Sequence, residues 1–305
     1  MNTVHDLKFN IAPVSVDLIV PNLYLGGLAA AKDVVTLNTL KITHILTIDT
    51  CPLPRQIREL KGLTLKFIPL SDQPKEDILS YFDEALLFIE EGIQNGNVLV
   101  HCYFGVSRSA TIVIAYVMKQ YNLSYVDAFQ KVKLKRNIIY PNHGFVSQLH
   151  LYEEMNYTID KNNMKYKVFR LNLAANRFQK IKILPQTFHD CIKPDPALTQ
   201  SQPETNVYRC KKCRRIVAAE SNLITHNDKN EICKQTYFVE PMQWMNVAQI
   251  DQGKLYCPKC ENKLGSFSWV MGCQCPCGIL IAPAFYLKPS KIDFTNVVKN
   301  VEITF

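Results

Sequence analysis

Residues 97–118, NVLVHCYFGVSRSATIVIAYVM, set a histidine, a cysteine, a glycine and an arginine between an apolar run and a helix-like run. Cysteine offers a nucleophile, arginine a planar cation, and glycine a backbone that turns tightly. Cys102, Gly105 and Arg108 therefore read as a strand-loop-helix turn. Such a turn aims the N–H groups of Tyr103, Phe104, Gly105, Val106, Ser107 and Arg108 into one concavity at the positive end of a helix, which suits a phosphate dianion. The fork of Arg108 would hold two equatorial oxygens, where a lysine acts only as a point charge. The same dipole and cation favour a Cys102 thiolate near neutral pH. The chemistry implied is in-line attack of sulfur on phosphorus, then hydrolysis of a cysteinyl-phosphate. The departing oxygen needs a proton. IPLSDQPKED offers Asp72, directly after an expected strand and 30 residues before Cys102, with Asp77 and Asp83 as alternatives. The competing interpretation of Cys102 is a buried thiol at a strand end.

The elements that would position these groups are legible from periodicity. ITHILTI, LTLKFIPL and NVLVH read as short buried strands. ILSYFDEALLFIEEGIQNG places Ile78, Phe82, Ala85, Leu86 and Ile89 on one helical stripe, and SYVDAFQKVKLKR opens with Ser124 and Asp127 as a capping box. Strands alternating with helices imply an α/β domain with a mainly parallel sheet flanked by helices, here residues 1–157, ending after GFVSQLHLYEEM. Residues 158–206 read as a connector. Within it YKVFRLNLAANRFQKIKIL is a candidate amphipathic helix, and KPDPALTQSQPETN, with its prolines, is the linker proper.

The stretch VHCYFGVSRS resembles the H-C-x2-G-x2-R-S/T motif of cysteine-dependent protein tyrosine phosphatases. NLYLGG, the Asp72 loop and PNHGF are similar to segments of their compact dual-specificity branch. The resemblance implies a shallow site accepting phosphotyrosine as well as phosphoserine or phosphothreonine, with no cofactor required for catalysis. It assigns Cys102 as nucleophile, Arg108 as phosphate clamp, Asp72 as general acid then base, Ser109 as an aid to thiolate departure and His101 as a positioning group. Phe104 departs from the family, where a small alanine is common, and bears on substrate range. Two other phosphatase branches share the loop: phosphoinositide phosphatases, which usually carry lysines inside it, and RNA 5′-phosphatases, which usually lack the upstream acid.

Eight of the eleven cysteines fall beyond residue 209. YRCKKCRRIV supplies Cys210 and Cys213, followed by His226 and Cys233; LYCPKC supplies Cys257 and Cys260, followed by Cys273, Cys275 and Cys277. Two thiolates on one tight turn bind a single ion well, so paired C-x2-C knuckles point to tetrahedral zinc. Eight ligands suffice for two ions, and Cys275 and Cys277 are chosen over Cys273. In sequence order each knuckle joins the ligands that follow it; both knuckles on one ion is the rival pairing. Residues 207–305 are thus expected to form a small, mostly β domain with two structural zinc ions. Cys51 and Cys191 read as ordinary thiols.

Charge divides the chain. Residues 1–155 hold 14 Lys+Arg against 15 Asp+Glu, a net −1, and residues 156–305 hold 21 against 12, a net +9. Two zinc ions with seven thiolates would leave that half near +6, compatible with a polyanionic partner such as RNA. The zinc region, with YFVEPMQWM and QCPCG, is similar to that of phosphatases linked to large ribosomal subunit maturation. This implies a pre-ribosomal particle as partner beside phosphoprotein substrates, or a mainly non-catalytic adaptor. No apolar run is long enough to span a membrane, and MNTVHDLKFN lacks the order of a secretory signal. The expectation is a soluble protein of cytoplasm and nucleus.

Overall fold

The computed structural model describes residues 14–198, 204–228 and 231–297. It divides into two compact units between Ile159 and Asp160. In the first, the strands are β1 (Val16–Val20), β2 (Leu23–Gly27), β3 (Ile42–Asp49), β4 (Thr64–Pro69) and β5 (Asn97–Cys102), in the order β1-β2-β5-β3-β4. Every neighbouring pair is parallel except β1 on β2. The apolar runs expected as strands are β3, β4 and β5. The β1–β2 hairpin has no long apolar run to announce it; its turn places Asn22 at φ 65°, a left-handed position that asparagine tolerates.

The helices are α1 (Leu28–Lys32), α2 (Val34–Thr39), α3 (Arg55–Arg58), α4 (Phe82–Asn95), α5 (Arg108–Tyr121), α6 (Tyr125–Lys135) and α7 (His143–Glu154). The stripe Ile78, Phe82, Ala85, Leu86 and Ile89 is fully buried, as its period requires. Helix α5 is buried on every side from Arg108 to Met118, because the sheet, α4, α6 and α7 enclose it. This fixes its N-terminus beneath the loop that follows β5. Ser124 caps α6 by accepting from the Asp127 amide, while the Asp127 carboxylate takes the Ser124 hydroxyl at 2.7 Å. Asn142 caps α7 through Phe145 N–H.

The second unit opens on α8 (Met164–Ile181). Its strands are β6 (Asn206–Cys210), β7 (Ile216–Ala219), β8 (Asn227–Asp228), β9 (Glu231–Ile232), β10 (Tyr237–Phe238), β11 (Gln252–Tyr256), β12 (Lys263–Ser268), β13 (Cys273–Gln274), β14 (Leu280–Ile281), β15 (Ala284–Leu287) and β16 (Ile292–Asn296). They form sheets β10-β15-β12-β11 and β16-β6-β7 and two hairpins, so this unit is mostly β. The expected connector is corrected here. Helix α8 buries Leu171, Leu173, Ala174 and Phe178 in the core of the second unit, where Phe178 stacks on Trp269 at 5.6 Å. Amphipathic spacing showed a helix with an apolar face but not which domain would cover that face. Part of the proline-rich segment is also packed: buried Asp195 pairs with Arg215. Residues 199–203 of that linker lie outside the described residues.

Candidate active site and metal centres

Strand β5 delivers His101 and Cys102, the loop runs from Tyr103 to Ser107, and α5 starts at Arg108. Cys102 is 1% exposed, and its Sγ accepts from Gly105 N–H at 3.2 Å and Ser109 Oγ–H at 3.1 Å. All five loop carbonyls are tied down by donors outside the loop. Tyr103 O accepts from Leu28 N–H, Phe104 O and Gly105 O from the Arg136 guanidinium, Val106 O from Tyr140 N–H, and Ser107 O from Thr111. In a trans peptide the N–H points opposite to the preceding carbonyl, so these ties aim the amides of residues 104–108 the other way. One of them, the Gly105 amide, reaches the sulfur. The result is a set of dipoles fixed before any anion arrives. Gly105 itself has φ +71°, and a Cβ there would stand 2.4 Å from Gly26 O, so no other residue fits without moving the backbone.

Arg108 is buried. Its Nη1 donates to Asp49 Oδ1 at 2.7 Å and to Leu70 O at 3.2 Å, while Nε makes no hydrogen bond and lies 3.8 Å from Asp72 Oδ2. One side of the guanidinium is thus anchored, while Nε keeps its donor unused. Asp49, the anchor, was missed in the sequence; the available signal was an acid at the end of an apolar strand, ITHILTID. Arg136 was missed as well. It is 2% exposed, and besides the loop carbonyls it donates to Asp17 at 2.6 Å and to Ser15 at 2.8 Å.

Asp72 lies in the same cleft as Cys102 and Arg108. Its Oδ1 accepts from Ser107 Oγ at 2.7 Å and from Asn142 Nδ2 at 2.8 Å, so the PNHGF segment holds the acid as well as starting α7. The alternatives are used elsewhere: Asp77 accepts from Ser80 N–H and Oγ, and Asp83 sits in the first turn of α4. His101 is fully buried, and that desolvation pulls its pKa down to about 4. A neutral ring has one N–H. Cys102 O only accepts, so Nδ1 donates to it at 3.2 Å and Nε2 takes the Thr47 hydroxyl at 2.8 Å.

Residues 23–155 match the family model described as dual specificity phosphatase, catalytic domain. The chain is 42% identical to Dual specificity protein phosphatase MPK-4 of Drosophila melanogaster, over 97% of this chain and 92% of that one. It is 35% identical to Dual specificity protein phosphatase 12 of Mus musculus, over 90% and 86%. With Tyrosine-protein phosphatase YVH1 of Saccharomyces cerevisiae the identity is 30%, over 93% of each. The chain belongs to the dual specificity protein phosphatases. Within them it is of the phosphatase 12 and YVH1 type.

The second unit of this phosphatase gathers its cysteines into two sets, Cys210, Cys213, Cys257 and Cys260, and His226, Cys233, Cys275 and Cys277, with the ligand atoms of each within 4.8 Å of one another. The pairing in sequence order is therefore corrected: both C-x2-C knuckles share one site, and the second set interleaves with the first. The reason is local geometry. Each knuckle is the turn of a hairpin, β6–β7 and β11–β12, closed by Cys210 N–H to Arg215 O and Cys257 N–H to Asn262 O, with Arg214 and Glu261 at matching left-handed positions. Two such turns facing each other bring four cysteine sulfurs together. Zinc–sulfur bonds of about 2.3 Å in a tetrahedron set sulfur atoms about 3.8 Å apart. Cys210–Cys260 at 3.7 Å, Cys213–Cys257 at 3.5 Å and Cys233–Cys275 at 3.8 Å fit that edge, and the shorter zinc–nitrogen bond suits Cys277–His226 at 3.4 Å. Cys273 belongs to neither set; its Sγ lies 3.5 Å from Gln274 O. Cys191 is buried, which pushes its thiol up to about 12, and Cys51 is exposed. The run KKCRR is partly neutralised, since Lys211 and Arg214 pair with Asp293 and Arg215 with Asp195. No helix among the described residues is long and apolar enough to cross a membrane.

Proposed function

We propose that this dual specificity phosphatase hydrolyses phosphotyrosine and phosphoserine or phosphothreonine in proteins through a cysteinyl-phosphate on Cys102. The observation that carries this reading is the convergence of Cys102 Sγ, Arg108 and Asp72 in one cleft whose backbone amides are preset. The thiolate attacks phosphorus, the P–O ester bond breaks, and the departing oxygen takes a proton from Asp72. Water then attacks the thiophosphate, gives its proton to Asp72, and the sulfur leaves as a thiolate stabilised by Ser109 and Gly105, releasing inorganic phosphate. The test is turnover of phosphotyrosine and phosphothreonine peptides by the full chain and by Cys102→Ser. Loss of both activities in the variant is expected, and turnover surviving the substitution overturns the assignment.

The two ligand sets would each hold a zinc ion with no open coordination position, so the metal's chemistry there is structural cross-linking. A second reading gives residues 207–305 a docking role on an RNA-containing pre-ribosomal particle, in cytoplasm and nucleus. The net +9 of residues 156–305 favours it. Co-sedimentation of the full chain with large-subunit precursors, lost on Cys257→Ser, supports this reading; no co-sedimentation removes it.

A further inference from the structure

The cleft that starts at Cys102 is far larger than the phosphoryl group it must hold. It encloses about 730 Å³ and runs from Cys102, Arg108 and Asp72 to a wall that includes Tyr125, Phe129, Tyr140 and Val146. A pocket of this size suits a drug-sized group. The wall rests on fixed elements. Tyr125 and Phe129 are one turn apart on α6 with ring centroids 5.8 Å apart, Val146 sits in the first turn of α7 above its Asn142 cap, and the Tyr140 amide is tied to Val106 O. At the mouth, Phe104 and Tyr140 are 71% and 74% exposed. Both line the cleft, so most of each ring stands in water at its edge.

Charge narrows what can occupy the cleft. Among the described residues lining the cleft, Arg108 carries the one fixed positive charge, and part of its guanidinium is already committed to Asp49 and Leu70 O. A phosphoryl dianion at Cys102 uses that charge up. A second phosphate or an acidic side chain would find no other fixed cation in the lining, where polar groups such as Asn142, His143 and Ser147 stand beside the apolar wall and the Asp72 carboxylate. The wall is continuous with the phosphoryl cradle, so its occupant is the part of the substrate next to the phosphorylated residue.

We propose that Tyr125, Phe129, Tyr140 and Val146 form a subsite for a large apolar side chain flanking the phosphoresidue, so that the enzyme selects phosphoproteins by an apolar neighbour. This rests on the protein phosphatase reading and adds the substrate class to it. The test is a panel of phosphotyrosine peptides differing only in flanking residues (Phe or Leu, Ala, Glu, Lys), assayed with the full chain. Apolar-flanked peptides should exceed Ala-flanked ones in kcat/KM by about tenfold or more, the scale of one well-filled apolar pocket. Phe129→Ser should bring that ratio close to one, and Phe129→Leu should restore most of it. Tyr140→Ala, at an exposed position, reads the same ratio if Phe129→Ser loses its fold. A flat panel, a preference for Glu flanks, or a ratio unmoved by the variants overturns the subsite and leaves the phosphatase reading standing. Hydrolysis of an aryl phosphate with no turnover of any phosphopeptide overturns both.

Discussion

Cys102 and Asp72 are held differently: Gly105 and Ser109, close to Cys102 in the chain, donate to the sulfur, whereas Ser107 and Asn142 reach Asp72 across 35 and 70 residues. An Asp72→Asn variant keeps the shape and loses the proton. Its turnover should fall by about 10²- to 10⁴-fold for alkyl phosphates and much less for esters of acidic phenols, which leave unaided. Equal slowing across leaving groups in a steady-state series would contradict the role. His101 gives a pH dependence of known sign. Its folded pKa of about 4 lies below the ordinary 6.5 of histidine, so the unfolded chain takes up the proton first. The stability that neutral His101 contributes is complete above about pH 6.5 and is lost as pH falls toward 4, by up to about 3 kcal/mol. The thermal inactivation midpoint of wild type should drop across that window more steeply than that of His101→Gln; parallel curves would exclude His101 as the source.

At the scale of elements, the loop works because other elements hold its carbonyls. Arg136, at the end of α6, takes two of them. Arg136→Met should reduce kcat/KM by about 100-fold and weaken vanadate inhibition, since unanchored peptides no longer present fixed dipoles; unchanged vanadate affinity in a folded variant would deny Arg136 that role. The same contacts show what the sequence made legible. Cys102, Gly105, Arg108 and Ser109 are neighbours along the chain, so one stretch, with the apolar strand before it and the helix after it, was enough to suggest a phosphate cradle. Asp49 and Arg136 meet their partners across 59 and 31 residues, and only the register of β3 beside β5 and the packing of α6 bring them there. Strands β3, β4 and β5 were readable from their apolar runs. The β1–β2 pair was not, because five-residue strands joined by one turn give little periodicity.

On the scale of the whole molecule, two units with different sources of stability share one chain. The first rests on a buried sheet and helix core, the second on a core that includes α8 and, in the proposed reading, on metal held by its two Cys/His clusters. Knuckle spacing pointed to the candidate ligands, but which knuckle meets which is a tertiary fact, set by two hairpins facing each other. Both tryptophans, Trp244 and Trp269, belong to the second unit, so tryptophan emission reports on it alone. Chelation of zinc from the full chain should shift tryptophan emission to the red while turnover of a small aryl phosphate is retained. Emission unchanged after complete metal removal would show that the ions do not support that core.

The most direct test of the account is a rapid acid quench of the full chain during turnover of a labelled phosphopeptide, followed by mapping of the covalent phosphoryl group. The account predicts label on Cys102 and none in Cys102→Ser. Label on any other residue, or steady turnover with no phosphoenzyme formed, would contradict it.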